Sequence, residues 1–346
     1  MDTDALIIGA GPVGLFQVFQ LGLQGLHARV VDALGEPGGQ CIELYPDKPI
    51  YDIPGVVCCS GRELTQQLLQ QLAPFKPDFH FNQQVSELSR QSDGRWLVMT
   101  TQQRFCARTV FIAAGVGAFV PKELKIEGLD AFLGGQFFYR SAPATATAGK
   151  AVVVVGGEDD AVARALALTD DGPTQASSVT LIHRRDVLQA GPEALARLAA
   201  LREAGKIRFL AGQIIAIDAS GRTDGRLTSV VLSTPEDQTV NLSLDTLLVC
   251  MGVSPKLGPL TQWGLAMTRK QLSVDPATFT TSEPGIYAVG DVNTYPGKKK
   301  LILCGFHEAT LAAFSAASYL NPQASGVLQY TTSSVLLQQR LGIATR

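Results

Sequence analysis

Short apolar runs, glycine turns and helix-spaced segments follow one another along the chain. The first such series is Ala5–Ile8, then GAGPVG, then LFQVFQLGLQG, then HARVVDAL ending at Asp32. This order predicts a strand, a tight turn, a helix and a second strand, the βαβ context of a dinucleotide fingerprint. Gly9 permits the turn, Gly11 lets a pyrophosphate approach the backbone, and Gly14 lets helix and strand pack closely. Free N–H groups at the helix start then face the phosphates. Asp32, 23 residues after Gly9, is placed to accept hydrogen bonds from a ribose diol.

A second series begins at GKAVVVVGGEDDAVARALAL, which gives a strand over Ala151–Val155, a Gly156-Gly157 turn and a helix. SSVTLIHRRD then gives a strand ending at His183, Arg184 and Arg185. Two nucleotide sites are implied. The arginines stand where the first unit has its acid, the replacement expected where a 2′-phosphate is bound, so this unit reads as NADP-binding. A third apolar strand, in EPGIYAVGDVNTYPG, delivers Gly290-Asp291 into a loop. In flavoproteins with two dinucleotide sites such an aspartate lies on the ribityl chain of FAD, which makes the first unit the flavin site.

The fold class expected is α/β, with two dinucleotide-binding Rossmann-like domains of three-layer ββα type. The crossing segments Thr109–Pro121 and Asp245–Pro255 make the NADP domain an insertion in the FAD domain. The boundaries read from sequence are 1–117 with 250–346 for FAD and 118–249 for the NADP-binding-like domain. Glycine and proline at both crossings fit hinges that let the nucleotide domain rotate.

Composition narrows the function. Hydrophobic residues make up 46% and charged residues 17%, and 34 glycines accompany them, as in a well-buried globular protein. Lys plus Arg (29) nearly balances Asp plus Glu (31), so a nucleic acid or an anionic membrane is not favoured as partner. Apolar stretches stop at about ten residues, short of the ~20 that span a bilayer. The first residues lack a signal-peptide pattern, so a cytoplasmic location is expected. Cys41, Cys58, Cys59, Cys106, Cys250 and Cys304 are scattered, without a CxxC pair or zinc spacing, and are expected to be reduced core residues.

The segments EPGGQC (36–41), LYPDKPIYDIPG (44–55), AAGVGAFVP (113–121), DVNTYPGKKKLILCGFHEA (291–309) and YTTSS (330–334) carry a specific resemblance. Through them the chain resembles, almost end to end, the thioredoxin-reductase-like ferredoxin–NADP reductases, the bacterial FAD-dependent type. The resemblance implies FAD contacts from Asp32, Gln40, Tyr45, Val85, Phe119, Asp291 and Thr332, beside the fingerprint residues Gly9, Gly11, Pro12 and Gly14. It implies NADP(H) at Gly156, Gly157, Arg184 and Arg185, a homodimer, and transient contact with ferredoxin or flavodoxin. Catalysis then needs no side-chain acid or base, because the chemistry belongs to the flavin. The absence of CxxC from FYRSAPATATAGKAVVVVGG excludes a dithiol relay to thioredoxin.

Some positions stay open at this level. Phe119 is either a flavin wall or core, and His307 either tunes the flavin or packs and caps. Lys298, Lys299 and Lys300 form either a docking site for acidic ferredoxin or a solvated loop. The second loop reads GGEDDA where the family has GGGDSA, so Glu158 replaces a glycine and Asp160 a serine. One like-charge pair at ~4 Å and an effective dielectric of ~20 costs up to about 4 kcal/mol, or about a thousandfold in affinity. The alternative function is therefore an FAD-binding relative with weakened or lost NADPH binding, acting as a redox sensor or with another electron donor.

Overall fold

The computed structural model describes residues 1–218, 225–323 and 328–343. It divides into two units, Met1–Phe119 with Pro255–Arg346, and Val120–Ser254. The crossings thus fall two residues later on the way out, and five on the way back, than the boundaries read from sequence.

In the first unit, Asp2–Ile8 lies between Ala28–Val31 and Arg104–Ile112, all parallel, with Asp78–His80 beyond Ala28–Val31. The far edge of Arg104–Ile112 is shared. Its first half pairs antiparallel with Trp96–Thr100, which pairs in turn with Val85–Arg90, and its second half pairs parallel with Ile286–Ala288. Both faces are covered, which is why the strand runs are continuously apolar. Ala5 and Ile7 join one buried cluster, with the helices Pro12–Leu23, Gly61–Leu72 and Ile302–Leu320, while Leu6 and Ile8 join another on the opposite face.

The register sets the site. Ile8 pairs with Ile112, and Ile112 with Ala288, so three strands end level. The turns that follow, at Gly9, Ala113 and Val289, therefore emerge together at the carboxyl edge of the sheet, where open α/β sheets hold ligands.

The second unit repeats the plan. Its five parallel strands run in the order Phe137–Tyr139, Thr246–Val249, Ala151–Val155, Ser178–His183, Ile207–Ala211. An antiparallel sheet of Gln213–Asp218, Ser229–Ser233 and Thr239–Ser243 accompanies them. Helix Asp159–Ala167 follows the Gly156-Gly157 turn.

The six cysteines are free. Cys41, Cys59 and Cys250 are buried, but Cys58 is exposed and Cys106 and Cys304 are half-buried, so the expectation of core thiols holds for three of them. Among the described residues no helix is long and apolar enough to cross a membrane.

Phe111, on the central strand, stacks on Tyr287 of the returning strand with ring centroids 4.8 Å apart, and both are fully buried. Phe111→Ala is expected to cost about 3–5 kcal/mol, read as a lowered urea midpoint of the first unit's transition.

Candidate functional site

The level strand ends open a cleft of about 1220 Å³, part of it open to solvent, lined wholly by the first unit. Gly9 sits there with φ at 112°, and a Cβ on it would run into the Ala113 carbonyl. Gly14 does not line the cleft; a Cβ there would collide with the Gly9 carbonyl, so its bareness lets the helix close onto the turn. Gly11 caps helix Pro12–Leu23 with no side-chain partner, and the first turn carries no acid. Its leading N–H groups are left for an anion.

The Asp32 carboxylate closes the second strand onto this turn. Oδ2 accepts the Ala10 N–H at 2.6 Å and Oδ1 accepts the Leu34 N–H at 2.8 Å. Burial pushes the Asp32 carboxyl above the ordinary range, and these backbone donors pull it partway back. Asp32 lines the cleft, where a carboxylate can also accept from a hydroxyl.

Gln40, Tyr45, Val85, Phe119 and Asp291 also line the cleft. The Gln40 Nε2 donates to Asp291 Oδ2 at 3.3 Å, joining residues 251 positions apart. Burial, and then neighbouring Cys41, push the Tyr45 phenol up, so it stays protonated. Two carboxylates, Asp32 and Asp291, a helix start without a side-chain cap and a partly apolar wall fit FAD.

One expectation is corrected, and two positions left open are decided. Thr332 is exposed and does not line the cleft. Its segment leads into the short helix Val335–Arg340, where Ser334 accepts the Leu337 N–H, and Arg340 donates to the Leu23 carbonyl. That carbonyl is at the far end of the fingerprint helix, about 17 Å from its start at 1.5 Å per residue. His307 is one turn inside helix Ile302–Leu320, exposed and outside the cleft lining. Lys298 is no docking cation, since its side chain is 8% exposed and paired with the fully buried Glu308.

Glu308 was not singled out in the sequence, yet it organises the loop that carries Asp291. It accepts the Gly290 N–H at 2.7 Å, Asn293 Nδ2 at 2.8 Å and Tyr295 Oη at 2.9 Å, besides Lys298. The signal was available: it is the one acid in ILCGFHEATLAAFSAASYL. Trp263, Leu257 and Leu260, also missed, complete the wall beside Val85.

In the second unit, Gly156 and Gly157 both need to be bare. A Cβ on Gly156 would strike the Cys250 carbonyl, and one on Gly157 the His183 ring. Arg184 and Arg185 follow the strand end and are exposed. Glu158 caps helix Asp159–Ala167. Its Oε2 lies 3.0 Å, and the Lys122 ammonium 3.5 Å, from the point a Cβ on Gly252 would occupy. Asp160 lies between Arg164 at 3.5 Å and Arg140 at 3.7 Å. Asp160 is thus paired with two cations and Glu158 has Lys122 in its neighbourhood, which lessens the repulsion expected from GGEDDA.

Two Rossmann-like units, each with a glycine turn between strand and helix, and a cleft at the turn of the first define a dinucleotide-dependent oxidoreductase class. Residues 3–313 match the family described as pyridine nucleotide-disulphide oxidoreductase, and the chain belongs to it. Within it, the chain is 59% identical over 99% of its length to a protein of Paracidovorax citrulli named ferredoxin–NADP reductase, covering 97% of that protein. A protein of the same name from Albidiferax ferrireducens is 54% identical, with 99% and 96% covered. Among solved structures, a Staphylococcus aureus bacillithiol disulfide reductase aligns with TM-score 0.61 at 16% identity, covering 94% of this chain and all of that one. T. acidophilum thioredoxin reductase aligns with TM-score 0.59 at 21% identity, covering 92% and 98%. These two establish the shared fold.

Lys298→Met leaves the buried Glu308 carboxylate without its cation, and is expected to cost about 3–5 kcal/mol by urea denaturation. Lys298→Met with Glu308→Gln is expected to recover most of that loss. Burial, and next the charges of Arg184 and Arg185, hold the His183 imidazole below its ordinary value of 6.5. The folded unit therefore binds this proton more weakly than the unfolded chain, so its contribution to stability is full above about pH 6.5 and is lost as pH falls through the folded value. His183→Gln is expected to flatten the dependence of the urea midpoint between about pH 5 and 7 relative to the parent.

Proposed function

We propose that the protein is a ferredoxin–NADP reductase, passing electrons from NADPH to ferredoxin or flavodoxin. The observation that carries this is the 59% identity, over nearly the whole of both chains, to a protein of that name. The cleft of the first unit takes FAD through the fingerprint turn, Asp32, Gln40, Tyr45, Val85, Phe119 and Asp291. The second unit takes NADP(H) over Gly156-Gly157, with Arg184 and Arg185 on the 2′-phosphate.

When bound, FAD supplies the chemistry, accepting a hydride's electron pair and releasing electrons singly. The residues of the chain do the positioning. The Asp32 carboxylate fixes the ribose end by its two backbone bonds, and the Gln40–Asp291 bond, backed by Glu308, fixes the wall opposite. Phe119 and Tyr45 limit water at the cleft. The pairing of Asp160 with Arg140 and Arg164 and the nearness of Lys122 to Glu158 favour the reductase over a relative that has lost NADPH. A cytoplasmic homodimer is part of the same reading, supported by the resemblance alone.

Anaerobic stopped-flow with NADPH and NADH tests it by following flavin absorbance. Bleaching is expected with both, and faster with NADPH; an FAD-bearing protein that neither bleaches would overturn the reading. Arg184→Ala with Arg185→Ala is expected to raise the KM for NADPH about 10–100-fold, the worth of charge-assisted bonds to a phosphate, and to leave that for NADH nearly unchanged. Glu158→Gly with Asp160→Ser is expected to tighten NADPH by no more than about tenfold, ~1.4 kcal/mol, because the carboxylates already have cations beside them.

A further inference from the structure

The three lysines after Gly297 have three different placements. Lys298 is buried, its ammonium donating to the Gly290 carbonyl at 2.8 Å and to Glu308. Lys299 is exposed and outside the cleft lining. Lys300 is exposed too, but it lines the cleft, and among the described residues lining it is the one cationic side chain. Among those residues no hydrogen bond or ion pair engages its ammonium, so its charge is uncommitted.

Its backbone is held on both sides. The anchored Lys298 precedes it by two residues, and Leu301, the cap of helix Ile302–Leu320, follows it. That helix start has no side-chain cap and no acid in its first turn, and Ile302 lines the cleft beside Lys300. A free ammonium and uncapped helix amides therefore act on one stretch of the wall, next to Gly290 and Asp291. The pyrophosphate has a separate seat, the uncapped start of Pro12–Leu23.

We propose that Lys300 stabilises the negative charge an isoalloxazine gains on two-electron reduction, and so raises the potential of the bound flavin. This rests on the FAD reading of the cleft. Around a thermodynamic cycle, a side chain that favours the reduced cofactor tenfold over the oxidised one raises a two-electron potential by about 30 mV. The residue thereby sets how readily the flavin takes electrons from a nicotinamide and gives them up, without touching the hydride itself.

The test uses the FAD-loaded protein, its potential read by equilibration against a dye of known potential, and the affinity for oxidised FAD read separately. Lys300→Met and Lys300→Gln are expected to lower the potential by about 30 mV or more, a tenfold loss of preference, with oxidised FAD still bound within about threefold of the parent. Lys300→Arg is expected to stay within about twofold, ~9 mV, and so is Lys299→Met, which removes a neighbouring charge from outside the cleft. An unchanged potential in both Lys300→Met and Lys300→Gln, with FAD retained, overturns the proposal. So does a large loss of affinity shared equally by the oxidised and reduced cofactor, which would make Lys300 a phosphate contact. A parent protein that binds no FAD overturns the FAD reading itself, a result distinguishable from the other two because it appears before any substitution.

Discussion

The level ending of three parallel strands is the constraint on which the site depends. Ile8, Ile112 and Ala288 lie in one row across the sheet, and each is followed at once by a turn. Parallel pairing in a fully covered sheet tolerates no slip, because a shift of one residue would turn every side chain to the other face. The two faces are filled by different clusters, with Ala5 and Ile7 on one side and Leu6 and Ile8 on the other. Burial therefore fixes the register, and the register fixes where Gly9, Ala113 and Gly290 meet. A dinucleotide site follows from packing that contains no functional residue.

The electrostatics of the cleft are built in the same indirect way. Asp291 is held by a loop whose own backbone is tied to Glu308 through Gly290, Asn293, Tyr295 and Lys298. A carboxylate without exposure is tolerable only with its partners in place, and here four donors surround it. The same network withdraws Lys298 from the surface and brings the chain to Lys300 at the cleft. One buried acid thus places the carboxylate and the cation that the wall presents.

The second unit shows a related compensation. GGEDDA puts two carboxylates where the family has a glycine and a serine, and the fold surrounds them with Arg140, Arg164 and Lys122. Those cations come from three separate places in the chain. A charge count over the six residues of the loop overstates the repulsion, because the cations near it lie outside those six, Arg164 one helical turn on and Arg140 and Lys122 well before.

The sequence alone determined the repeating strand–turn–helix units, the glycines that the two turns cannot replace, Asp32, and the exchange of an acid for arginines in the second unit. These are local: each is a residue type required by the backbone path or by the charge of a phosphate within a few positions. The tertiary structure alone decided which members of a run do which work. Lys298, Lys299 and Lys300 are identical letters whose roles part only when Glu308, ten residues beyond Lys298, claims the first of them. It also left Thr332 outside the cleft, in a segment whose helix is anchored through Arg340 at the far end of the fingerprint helix, and turned His307 outward, since a helix's rotation and a tail's anchor are set by what packs against them. Sequence spacing encodes what the backbone needs nearby, whereas burial and partner choice depend on residues that only folding brings together.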